Sequence, residues 1–181
     1  MIVLTIETST PAEQVAVVRN GTVLAEVTET VGRGHTEMLL GAVDAVLMES
    51  ALALTDLDAI VVAVGPGRFS GLRVGLATAK GLAAVAGVPV IPVDTLRALA
   101  ESAGPVAGLV APLLDARRGE VYGALFRLGP LRERLLHDTA APPRAMLELI
   151  LDAAAGEHVT LTGNGAPMCA GELQEMGLGD G

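Results

Sequence analysis

The stretch from Asp58 to Val85 narrows what this chain can fold into more than any other. Ala59 to Val64 is a run of β-branched and small apolar residues, the pattern of a buried strand. Gly65-Pro66-Gly67 breaks it, Arg68-Phe69-Ser70-Gly71 follows, and an apolar helix is predicted from Leu72 to Val85. A strand, a glycine loop and a helix in that order can turn the N–H groups of the helix start toward an anion or a partner group. Two familiar nucleotide loops do not fit. A Walker A loop needs Gly-Lys-Ser/Thr after four intervening residues, and no lysine falls there. A GxGxxG fingerprint needs glycine at position 70, which is Ser70. Ser70 lacks the GxSxG frame of a nucleophile and is expected to be the helix N-cap.

The predicted helix carries small residues at Gly71, Gly75, Ala79 and Ala83, which share one face. Leu72 and Leu76 lie beside that stripe and Lys80 continues the row. A glycine inside a helix costs about 1 kcal/mol relative to alanine, so Gly75 implies close approach of another backbone. Two neighbours satisfy that requirement: the chain's own sheet or first helix, and a helix of another subunit. Both stand at this point.

The core has to be aliphatic, because the hydrophobic fraction is 51% and the aromatic fraction only 2%. That suits layered α/β architecture. The formal net charge is −9, with Lys+Arg 12 against Asp+Glu 21, which argues against direct binding of RNA or DNA by this chain alone. One cysteine, Cys169, excludes an intrachain disulfide. The N-terminus lacks a basic region and reads as a first strand rather than a signal peptide. Gly and Pro interrupt every apolar run short of the roughly 20 residues of a membrane span. A cytoplasmic location and no membrane association are the expectations.

Taken in order, Ile2 to Ile6 is a strand, Glu7 to Pro11 a hydroxyl-rich turn, and Gln14 to Arg19 a second strand. Asn20-Gly21 is a hairpin turn, and Thr22 to Thr28 a third strand. After the loop Val31-Gly32-Arg33-Gly34, Thr36 is a plausible N-cap for a helix to Leu52 with Glu37 in its first turn. Leu39, Leu40, Val43, Val46 and Leu47 recur at helical spacing, and Met38 and Met48 widen the apolar face. That helix is read either as a core helix or as one shared with a partner. Val88 to Val93 is a strand and Leu96 to Ser102 a short helix.

Gly104-Pro105 is the expected boundary between domains 1–103 and 104–181. The order then repeats. Leu109 to Leu114 is a strand, Asp115 to Gly119 a turn, Glu120 to Leu128 a strand, and the region around Arg132 to His137 another. Arg144 to Ala155 is a helix, Val159 to Thr162 a strand, and Gly163-Asn164-Gly165 closes the copy. Only a weak helix near Gly171–Met176 remains, so the second copy lacks a full counterpart of the Leu72–Val85 helix. Two copies of βββαβ indicate a duplicated fold of the actin-like, sugar-kinase and Hsp70 class, where nucleotide sits between halves with its phosphates at the hairpin turns.

His35, His137 and His158 have no metal-ligand spacing, and no metal is expected. Glu7 and Asp115 fall at corresponding turns. They read either as holders of Mg²⁺ on a nucleotide or as carboxylates capping their own turns, the second favoured.

At this point the residues resemble a known family. Gly65 through Gly75, then Ala77 through Ala83, are similar to the signature GPGSFTGLRIG…AKGLA of the TsaB (YeaZ) family. Thr5 to Thr10, His35 to Leu40, Asp115 to Tyr122 and Gly163 to Ala166 match further pieces in order, so the resemblance spans Ile2 to Ala166. It implies an actin-like fold of two small domains. It also implies a non-catalytic role, without cofactor, in making threonylcarbamoyladenosine at position 37 of tRNA. By the resemblance, the partner is a TsaD-type catalytic subunit met through the two helices at His35–Leu52 and Leu72–Val85. A TsaE-type ATPase joins, tRNA is engaged only indirectly, and the isolated protein is a homodimer through the same surface. The expected interface residues are Leu39, Leu40, Val43, Leu47, Leu72, Gly75, Leu76, Ala79 and Lys80. Candidate nucleotide-associated residues are Glu7, Ser9, Gly65, Gly67 and Asp115. Glu7 stands where the family usually has Asp, Arg68 and Ser70 replace its loop Ser and Thr, and the usual C-terminal helix is absent. The competing reading is a small ATP-dependent phosphotransferase using Glu7 and Asp115.

Overall fold

Alternating burial along the first three strands builds an antiparallel meander. The strands are β1 (Ile2–Glu7), β2 (Ala12–Arg19) and β3 (Thr22–Thr30). Asn20 and Gly21 both take positive φ, 50° and 84°, as a two-residue hairpin turn requires. Helix α1 (His35–Glu49), strand β4 (Ala59–Ala63), helix α2 (Phe69–Ala86) and strand β5 (Val90–Val93) follow. The sheet order is β3-β2-β1-β4-β5, with β4 and β5 parallel to β1. Leu4, Ile6, Val15, Val17, Ile60 and Val62 form one buried face, against which α1 sets Leu39, Val43 and Val46 and α2 sets Ala79 and Ala83.

The second half repeats the connectivity. Helix α3 (Thr95–Ser102) leads into β6 (Gly108–Arg117), β7 (Glu120–Leu128), β8 (Glu133–Ala141), helix α4 (Pro143–Ala154) and β9 (Val159–Thr162). The sheet order is β8-β7-β6-β9, again antiparallel to one side of the first strand and parallel to the other. This sheet is buried on both faces. Leu109, Leu113, Val121 and Leu125 meet Met146, Leu147 and Ile150 of α4. Val110, Leu114, Ala124 and Phe126 meet Leu96 and Ala100 of α3. A short 3₁₀ turn (Ala166–Cys169) and α5 (Ala170–Glu175) follow β9, where the first half has α2 and β5. The architecture is a duplicated α/β plan, with one βββαβ unit in each half.

The computed structural model describes residues 1–30, 35–104, 108–130 and 132–178, and in α1 the side chains from Met38 onward. The expected loop Val31-Gly32-Arg33-Gly34, the side chains of His35, Thr36 and Glu37, and Pro105 lie outside the described residues. The compact units are Met1–Asp94 and Thr95–Gly181. They divide earlier than Gly104-Pro105, because the apolar face of α3 belongs to the second core.

Three boundaries differ from the sequence expectation for physical reasons. Helix α1 stops at Glu49 rather than Leu52. Ala51 turns left-handed at φ 53°, and Leu52 N donates to the Leu47 carbonyl at 3.0 Å, closing the helix end. Helix α2 starts at Phe69, with Arg68 at the N-cap and no side-chain cap, so Ser70 lies inside the first turn and is not the cap. Strand β6 runs on to Arg117 through a register irregularity, so Asp115 sits at a strand end rather than in a free loop.

Candidate functional site

The turn after β1 is the seat of α2. Thr8 and Ser9 are buried there despite their hydroxyls. Thr8 Oγ1 donates to the Gly71 carbonyl at 2.9 Å, and Arg68 N donates to the Ser9 carbonyl at 2.7 Å. The glycines are required by this contact. A Cβ at Gly67 would lie 2.5 Å from the Ser9 carbonyl oxygen. One at Gly71 would lie within 3.0 Å of the Thr8 carbonyl oxygen, and one at Gly75 equally close to Thr8 Oγ1. The stripe Gly71, Gly75, Ala79 and Ala83 is buried along its length against this unit. Of the two neighbours open to it in the sequence, it is the chain's own sheet that it meets.

Glu7 closes the same turn. Its carboxylate accepts from Ser9 N at 2.5 Å and from the Ser9 hydroxyl. Burial pushes the Glu7 carboxyl above its ordinary range, against the lowering effect of hydrogen bonds from the Ser9 hydroxyl and the Ser9 and Thr10 amides. The second unit repeats the device: Asp115 Oδ1 accepts from Arg117 N at 2.7 Å. There Asp115 N donates to Asn164 Oδ1 at 3.0 Å, and Gly165 N to the Leu113 carbonyl at 2.9 Å, tying the Gly163-Asn164-Gly165 loop to β6. Each turn thus spends the amide two residues on upon its own carboxylate. A phosphate arriving there would meet a carboxylate and an occupied donor. Among the described residues no group of three His, Cys, Asp or Glu could hold a metal ion, and no helix is long and apolar enough to cross a membrane.

The outward faces of α1 and α2 are different in kind. On α1, Gly41 and Ala45 are exposed at helical spacing; on α2, Ala77, Gly81 and Ala84 are. Large apolar groups flank these low surfaces: Met48 is 81% exposed, Val85 79%, Phe69 73% and Leu40 48%. The Arg73 guanidinium lies over the Phe69 ring, 5.3 Å from its centroid. Among the described residues, nothing lies within 4 Å of where a Cβ would stand at Gly41 or Gly81. The packing of the described residues therefore asks for neither glycine.

The chain matches the family model described as "TsaD: tRNA N6-adenosine threonylcarbamoyltransferase" over residues 22–163. It is 38% identical over 127 residues to the tRNA threonylcarbamoyladenosine biosynthesis protein TsaB of Bacillus subtilis (strain 168), covering 70% of this chain and 56% of that one. It is 41% identical over 129 residues to the protein of the same name from Escherichia coli (strain K12), covering 70% and 55%. The solved structure of YeaZ from Pseudomonas aeruginosa superposes with a TM-score of 0.74 at 26% identity, over 97% of this chain and 93% of that one. The chain belongs to the TsaB (YeaZ) family. It spans about half the length of the curated TsaB relatives it matches.

Against this TsaB frame the expected interface residues divide. Leu39, Val43, Gly75 and Ala79 are buried in their own unit. The reason is geometric: the small stripe faces Thr8, and its helix shows the opposite side to solvent. Leu47, Leu72 and Leu76 are half-buried at the helix flanks, while Leu40 and Lys80 are exposed. The exposed small residues Gly41, Ala45, Ala77, Gly81 and Ala84 were not among the expected set. The available signal was Gly81, a second glycine inside the same helix but off the Gly71–Ala83 stripe. Of the nucleotide-associated candidates, Glu7, Ser9 and Gly67 share the α2 seat. Gly65 adjoins it at φ 112°, and Asp115 belongs to the second unit.

Proposed function

We propose that this chain is a non-catalytic, activating subunit in the synthesis of threonylcarbamoyladenosine at position 37 of tRNA. It pairs with a TsaD-type catalytic subunit through the outward faces of α1 and α2; a TsaE-type ATPase joins the pair, and tRNA is engaged through the partner. In the absence of the catalytic subunit the same faces pair two copies of this chain.

The observation that carries the reading is the pair of exposed helix glycines, Gly41 and Gly81, with open space above both. Each costs its helix about 1 kcal/mol relative to alanine and serves no contact with the described residues. A close-packed helix from a partner gives both a purpose. The phosphotransferase alternative draws less support, because the Ser9 and Arg117 amides already serve Glu7 and Asp115.

The test is Gly41→Leu and Gly81→Leu, made singly. Both side chains project into open space, so the melting temperature holds or rises. Co-elution with the TsaD-type subunit is lost. Unchanged co-elution of both variants would overturn the docking surface. Calorimetry with ATP and Mg²⁺ discriminates the alternative: tight binding with turnover by the isolated chain would favour the phosphotransferase.

A further inference from the structure

Helix α2 has no cap of its own. Its N-cap is Arg68 without a side-chain bond, and no acidic residue lies in its first turn. What holds its start is the β1–β2 turn. Thr8 Oγ1 reaches between Gly71 and Gly75 and donates to the Gly71 carbonyl at 2.9 Å in a buried setting. That carbonyl is inside the helix, and its second lone pair accepts the bond. The Gly75 position has no room for a Cβ because the Thr8 hydroxyl occupies it.

We propose that Thr8 is a positioning residue that sets where α2 sits along its axis on the sheet, and thereby pre-organises the outward face bearing Phe69, Arg73, Ala77 and Gly81. This rests on the docking reading above. A buried hydrogen bond of this kind holds the placement it fixes, and pre-organisation of a docking face enters affinity directly. Packing alone does not account for the arrangement, since a methyl at position 75 would fill the same volume if Thr8 were alanine: it would lie 3.4 Å from Cβ of residue 8, an ordinary contact.

The deciding variant is therefore the double substitution Thr8→Ala with Gly75→Ala, studied in the full chain beside Thr8→Ser. The double variant restores packing and helix propensity while removing the hydroxyl. Its melting temperature is expected to hold or rise. Amide exchange over Gly71–Leu76 quickens relative to wild type while α1 is unchanged, and affinity for the TsaD-type subunit falls about tenfold. Thr8→Ser keeps the hydroxyl, and its exchange and affinity match wild type. Wild-type exchange and affinity in the double variant would overturn the proposal, as would a Thr8→Ser variant as impaired as the double one. If the wild-type chain fails to bind the TsaD-type subunit, the docking reading falls, and the exchange pattern alone decides the role of Thr8.

Discussion

Ala51 and Ala155 end their helices in the left-handed region, at φ 53° and 50°, where glycine is the low-cost residue. The left-handed conformation costs an L-residue roughly 1–2 kcal/mol, partly offset by the extra entropy that glycine brings to the unfolded chain. Ala51→Gly is therefore expected to stabilise the chain by about 0.5–1 kcal/mol, read as a shifted urea midpoint at unchanged slope. The same positions explain where the sequence was silent. Alanine is the best helix former and carries no stop signal, so the end of α1 could not be read from it. Glu7 gives the second prediction at this scale. Its folded carboxyl is held above the ordinary range by burial, so its contribution to stability is fully present below the unfolded value and is lost as pH rises through the folded one. Glu13, raised by burial and by Glu29, acts in the same direction. Glu7→Gln keeps an acceptor for Ser9 N without the buried charge. Its thermal stability is expected to exceed wild type at neutral pH and to decline less than wild type as pH rises from the ordinary carboxylate range toward neutrality. Equal pH profiles for the two proteins would remove Glu7 from the account.

Two rows of small residues run along α2, and only one is needed by the fold. A Cβ at Gly71 would collide with the Thr8 backbone carbonyl, whereas one at Gly81 would meet none of the described residues. Gly71→Ala is expected to destabilise by about 3 kcal/mol, since backbone must move to admit it. Gly81→Ala is expected to stabilise by about 1 kcal/mol. Denaturant titration of the two proteins checks both, and a shared sign would mean that the helix is turned the other way. Much of this element was legible beforehand: the strand, the glycine break, the helix and its small stripe all follow from spacing. Its orientation was not, because 3.6-residue periodicity defines a face without saying what the face meets. The answer lay in Thr8, which is 63 residues from Gly71 and carries no local mark of its role. Ser70 misled for the opposite reason: it has the chemistry of a cap, but the bond from Arg68 N to Ser9 starts the helix two residues earlier.

At the scale of the whole chain, duplication was legible because strand alternation and turn residues survive even where the two copies share few side chains. The carboxylate turns correspond in chemistry as well as position, Glu7 to Ser9 in one unit and Asp115 to Arg117 in the other. Charge belongs to this scale too. With a net charge of −9, the chain repels a polyphosphate at distances beyond any single contact. At the exposed turn after β6, Arg117 Nη1 stands 3.5 Å from Asp115 Oδ2, which leaves Arg118 as a single further cation there rather than a cluster. Binding of nucleic acid through phosphates requires several unopposed cations, each adding to the salt dependence. The isolated chain is therefore expected to leave tRNA unretarded in a gel at about 0.15 M salt, near physiological ionic strength. Addition of the TsaD-type subunit is expected to produce a shifted species containing both proteins. Retardation by this chain alone, weakening steeply with added salt, would instead place the tRNA contact on this subunit. The division of labour in which this chain offers only its helices would then be wrong.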